Sequence, residues 1–185
     1  MFDITKEINS HLAFLKETLA SFSAKDRCFF SAWCIKVTLK LPNALEAINC
    51  TYNLNITQLS LLEDILSARN IESYTEAIQH HLDKLDEYAE DFDESDELKV
   101  FALTGFEQCI LGIGNSAHLV YAAENIINIL DFYEQLSDDS KYWNNLLEKE
   151  VVAQKQVVTA ILEHAATDID SHHTFYEDVH FKWIA

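Results

Sequence analysis

Nine carboxylates crowd residues 83 to 97: Asp83, Asp86, Glu87, Glu90, Asp91, Asp93, Glu94, Asp96 and Glu97, opposed within the stretch by Lys84 alone. Acids at this density repel one another and cost stability, and solubility could be had by spreading them. Tyr88 and Phe92 are interleaved with them. Aromatic anchors set among charges are typical of protein-binding surfaces. The segment therefore reads as a docking face for a basic partner. The alternative is a helix end and loop that is simply solvated.

Metal-capable donors gather near the C-terminus as His164, Asp168, Asp170, His172, His173, Glu177, Asp178 and His180. Helical metal sites want paired side chains at i, i+4 or an ExxH from facing helices. His173 and Glu177 are spaced i, i+4, a pair that so acidic a tail yields by chance. These residues are expected to form a solvated polar tail, with no metal and no cofactor. Gly112 and Gly114 make a short GxG between apolar helical flanks. A phosphate-binding loop needs a preceding strand, so close helix packing at Gly105 and a helix junction at Gly112 and Gly114 are expected instead. No nucleophile motif stands out. Polar Glu107, His118 and Glu124 lie on otherwise apolar helices, where they could line a ligand site or sit at helix edges.

Charge bounds the partners. Through residue 75 there are seven Lys/Arg against eight Asp/Glu; from residue 76 there are six against 23, within a formal net of -18. Such a chain repels nucleic acid and anionic lipid and favours basic protein surfaces. No apolar run approaches the roughly 20 residues of a membrane span. The N-terminus, with Asp3, Lys6 and Glu7 among its apolar positions, lacks the apolar core of a secretory signal. Cys28, Cys34, Cys50 and Cys109 form no CxxC pair. All four read as buried free thiols of a cytoplasmic protein.

The elements that must carry these residues are helices. Three Gly and one Pro in 185 residues leave too few breakers for the tight turns of a sheet-rich fold. Helical spacing runs through Ile4 to Leu19 and Ala24 to Leu39, the latter apolar nearly all round and so central, with Ser23 and Asp26 as a capping pair. Further helices are expected over Asn43 to Cys50, around Leu59 to Leu66, from a Ser73 cap with Glu76 through Leu85, from Leu98 to Gly112, from an Asn115 or Ser116 cap through Leu130, and from Lys141 to Ala165. The expectation is an all-α, single-domain bundle of seven to nine helices spanning residues 1–185.

Three segments resemble the YjaG-like family of bacterial all-helical proteins: FFSAWC at Phe29 to Cys34 followed by Pro42-Asn43; the acidic approach Asp93 to Glu97 leading to Glu107 and Cys109; and Glu150 to Asp170, with Glu150, Gln154, Leu162, Glu163 and Asp168-Ile169-Asp170 at similar places. Thr104-Gly105 stands where that pattern has Pro-Ala, and the likeness ends at Asp170. The resemblance implies a helical fold and carries over no activity and no catalytic residue.

These features point to a non-catalytic binding protein of the immunity or antitoxin kind, neutralising a basic bacterial toxin domain such as a nuclease. A basic enzyme of that sort offers a surface that an acidic protein can cover, with long-range attraction speeding association. The alternatives are a helical enzyme or small-ligand protein, and an acidic mimic of DNA.

Overall fold

A computed structural model describes residues 4–87, 97–166 and 168–182. Among them lie eight α-helices and no strand: α1 (Ile4–Leu19), α2 (Ala24–Thr38), α3 (Ala44–Tyr52), α4 (Gln58–Leu66), α5 (Ile71–Glu87), α6 (Glu97–Gly114), α7 (Ala117–Leu136) and α8 (Ser140–Leu162). A single 3-10 turn, Thr174–Tyr176, follows α8. The bundle is all-α, as expected.

The centre is a layer of α2, α6 and α7, each packed on the other two. Helix α2 buries Cys28, Phe30, Trp33, Cys34 and Val37 on several sides at once, which is what a helix apolar all round must do. Helix α8 covers α7 from the opposite side, α1 lies against α7 and α8, and α3, α4 and α5 close the other flank. Gly105 is where α2, α6 and α7 meet: a Cβ there would stand 2.5 Å from Thr38 Oγ1 and 3.0 Å from Asn125 Nδ2. That crossing is closed by a missing side chain, as expected of Gly105. None of the three glycines has positive φ.

Local signals fixed most helix ends. Ser23 Oγ accepts from Asp26 N–H at 3.3 Å and Ser23 N–H donates to Asp26 Oδ2 at 3.0 Å, the reciprocal capping box. Asn115 Oδ1 accepts from Ala117 N–H at 3.1 Å and helps start α7. Several ends differ from the expectation: α7 runs on to Leu136 rather than ending at Leu130, and α3 and α6 reach two residues further, to Tyr52 and Gly114. Helix α5 starts at Ile71 rather than at a Ser73 cap, because Asn70 turns the chain with φ 57° and gives its side chain to Asp64. Helix α8 stops at Leu162 rather than Ala165. There the N–H groups of His164 and Ala165 donate back to the carbonyls of Ile161 and Ala160 at 3.0 and 2.8 Å, and His164 takes φ 55°. This is a Schellman end with histidine where glycine is usual. Ala68 plays the same part after α4, with φ 52° and Arg69 N–H on the Asp64 carbonyl at 2.8 Å.

Candidate functional site

The acidic segment is only partly described. Tyr88 to Asp96, which include Glu90, Asp91, Phe92, Asp93 and Glu94, lie outside the described residues, and for Asp86 and Glu87 only the helical backbone of α5 is described. Asp83 is exposed on α5 and accepts from Gln79 Nε2 at 2.6 Å. Glu97 is exposed in the first turn of α6, where a carboxylate is favoured by the helix dipole. The C-terminal half beyond it is acidic on its surface too: Asp131, Asp138, Asp139, Glu148, Glu163 and Asp178 are all exposed.

Glu107, His118 and Glu124 do not converge. Each is half-buried. Glu107 accepts from Tyr52 Oη at 2.6 Å, while His118 Nδ1 pairs with Gln108 Oε1 at 2.8 Å. Glu107 and His118 are helix-edge residues fastening α6 to α3 and to the start of α7. His80 is exposed and His81 sits at the core edge against Tyr52, ring centroids 5.4 Å apart.

The polar centre that the bundle does assemble lies elsewhere. Glu150 on α8 has no solvent exposure. Its Oε1 accepts from Gln154 Nε2 at 2.8 Å, and its Oε2 accepts from Tyr176 Oη at 3.0 Å and pairs with His173 Nε2 at 3.1 Å. Gln154 Nε2 also donates to the Ala123 carbonyl at 3.0 Å, and its Oε1 meets His11 Nε2 at 2.6 Å. With both amide protons of Gln154 spent, its oxygen can only accept, so His11 donates through Nε2. The chain of contacts thus runs from α1 through α8 to the segment after it. Trp33 roofs the far end, stacked on His173 with centroids 3.4 Å apart.

Burial dominates the chemistry here, because removing water disfavours whichever form carries charge. It holds the His11 imidazole below its ordinary value, only partly opposed by the bond to Gln154 and by Glu150 and Glu7. It raises the Tyr176 hydroxyl well above its ordinary value, reinforced by Glu150. It does the same to the Cys34 thiol, aided by Cys109 and Glu150. These groups stay neutral near pH 7, and neither Cys34 nor Cys109 is an activated nucleophile.

Two expectations need correcting. The C-terminal donors are not uniformly a solvated tail: His173 is buried and spent on Glu150, so its spacing with Glu177 is incidental, while Asp168, His164 and His180 remain exposed. Cys50 is exposed, whereas Cys28, Cys34 and Cys109 are buried as expected. Among the described residues, no group of three or more His, Cys, Asp or Glu could hold a metal ion. No helix there is long and apolar enough to cross a membrane.

Sequence reasoning missed the Glu150 centre, although it carries a signal. Glu150 and Gln154 share one stripe of α8 with Leu146, Leu147, Val157 and Ile161, so helical periodicity alone puts two polar side chains on the buried face. Comparison with known proteins adds no name to this geometry: no family model, no curated protein and no solved structure matches the chain.

Proposed function

We propose that this chain is a non-catalytic protein-binding protein of the immunity or antitoxin kind, whose acidic surface docks and neutralises a basic bacterial toxin domain such as a nuclease. The observation that carries this reading is the charge partition: 31 acids against 13 bases, the excess falling in the second half, with ten of its acids between residues 76 and 97 and others exposed on α7 and after α8. Such a field attracts a basic surface over a long range and speeds encounter. The aromatic pair Tyr88 and Phe92 would supply short-range anchoring.

A second reading, a helical enzyme or small-ligand protein, is favoured by one thing only, the buried Glu150 beside His173 and Tyr176. Both carboxylate oxygens are already claimed by protein donors, and the carboxylate has no exposure. A group so enclosed works for the fold before it works on a substrate.

The test starts from a pull-down in the native host and continues with association kinetics of the captured partner at two salt concentrations. Changing Glu87, Glu90, Asp91 and Glu94 to Lys should slow association and flatten its salt dependence. Changing Tyr88 or Phe92 to Ala should mainly speed dissociation, by roughly tenfold or more if either fills a pocket. A partner that meets the charge-reversed protein as fast as the original at low salt would sink the reading.

A further inference from the structure

We infer that residues 168–182 form a lid that opens as one unit ahead of the helical bundle and uncovers a preformed floor of Trp33, Cys34 and Glu150. Apart from the short 3-10 turn, the segment is irregular. Among the described residues, each of its backbone hydrogen bonds to other backbone closes a turn within the segment itself, as in Ser171 N–H to the Asp168 carbonyl and Val179 N–H to the Tyr176 carbonyl. Lifting it therefore breaks no helix.

What holds the lid is a set of side-chain tethers reaching across from the bundle. Trp33 Nε1–H donates to the Ser171 carbonyl at 2.9 Å, Lys40 Nζ to the Tyr176 carbonyl at 2.9 Å, and Tyr133 Oη to the Lys182 carbonyl at 2.8 Å. Lys36 pairs with Asp170. From the lid itself, His173 and Tyr176 reach down to Glu150, and Tyr176, Val179 and Phe181 plug apolar space. The His164 turn that ends α8 precedes the lid. One edge is already parted: a cleft of about 320 Å³ runs between the lid, the end of α2 and Gln58, with His173 and Lys36 in its walls.

The closed state also carries a cost that opening removes. Among the described residues three buried polar side-chain atoms lack a protein partner, and two of them, His173 Nδ1 and Ser171 Oγ, belong to the lid. A buried polar atom without a partner is destabilising, and water would satisfy both once the lid lifts. A segment joined to the rest of the fold by side chains alone, with no backbone ladder, can open locally while the helices stay formed. The floor is unusual for a core: a carboxylate and an indole that hold the cover directly, with the Cys34 thiol within electrostatic reach of Glu150 and Tyr176.

The four cysteines report on this directly. The full chain is treated with iodoacetamide over a series of urea concentrations below the unfolding transition, and labelling is read at each cysteine by mass spectrometry. Exposed Cys50 should label at once. Cys34, under the lid, should label at least about tenfold faster than Cys109 and depend less steeply on urea, because lifting the lid exposes less surface than unfolding the whole bundle. Tyr176→Phe, which removes one tether to Glu150, should raise the Cys34 rate by roughly a further tenfold and leave Cys109 unchanged. If Cys34 and Cys109 label at the same rate with the same steep urea dependence, the segment opens only with the whole protein and the lid does not exist. The unmutated chain decides this by itself, should Tyr176→Phe fail to fold.

Discussion

Asp64 and Glu150 are both taken out of water, and each accepts a tyrosine hydroxyl, Tyr74 at 2.6 Å and Tyr176 at 3.0 Å. Their surroundings differ in sequence distance. Asp64 draws Asn70 Nδ2 at 2.9 Å, Tyr74 and, at 3.8 Å, Arg69, all within ten residues across one turn. Glu150 draws its donors from 23 and 26 residues away and, through Gln154, reaches His11 at a separation of 143. The first fastens two consecutive helices and forms as soon as they meet. The second is completed only when α1, α8 and the final segment are all in place. One carboxylate is a local rivet, the other a checksum on the whole topology.

The largest way to break that comparison is Glu150→Ala. It strands Gln154, His173 and Tyr176 without their acceptor inside the core, and is expected to cost about 3–5 kcal/mol in urea unfolding. Glu150→Gln, which keeps shape and one acceptor oxygen, should cost clearly less; equal losses would mean the charge, not the bonding, matters.

Asp64→Asn comes next, at about 1–2 kcal/mol near neutral pH. It also carries a pH signature. Burial alone would raise the Asp64 carboxyl, but the bonds from Tyr74 and Asn70 and the Arg69 charge outweigh it and hold it below its ordinary value. A lowered carboxyl stabilises the fold above its unfolded value, about 4, and that stability is lost as pH falls through the folded value. Unfolding followed across the acid range should therefore lose part of its slope in the Asn variant.

His11 gives a smaller effect of opposite origin. Its imidazole is lowered by burial, so the unfolded chain binds the proton first. The stability is full above about pH 6.5 and falls as pH drops toward the folded value. His11→Gln should flatten the pH dependence below about pH 6.5; an unchanged slope would show that His11 does not titrate out of step with the unfolded chain.

The smallest expected effects sit at two helix ends. Ala68→Gly beside Asp64 and His164→Gly before the lid should each stabilise by up to about 1 kcal/mol, since both positions hold positive φ. Only the second should change lid opening, seen in the Cys34 labelling rate. A change in both would tie the two regions together.

How much of this was legible follows the same division. The Ser23 and Asp26 box, the central role of α2 and the close crossing at Gly105 are read from neighbouring residues or from composition. The start of α5 was misplaced because Asn70 spends its side chain on Asp64, a contact that outranks a plausible box at Ser73 and Glu76. The C-terminal segment could not be read, because Tyr176 and His173 are buried by a partner that periodicity assigns to another helix. Glu150 itself was readable from the stripe of α8, and its donors were not. Cys50 has the apolar neighbours of a buried thiol yet faces outward on the short helix α3.

Turns made by Asn43, Asn53, Ala68, Asn70, His164 and His172, with Gly105 and Gly112 kept for close helix contacts, have a consequence in the denatured chain. Glycine widens the range of backbone states an unfolded polypeptide explores, and each one replaced by a residue with a Cβ narrows it. This protein begins folding from a smaller ensemble than its length suggests, and accepts some local torsional cost in the finished turns. Its helix ends trade comfort in the native state for less freedom to surrender on the way there.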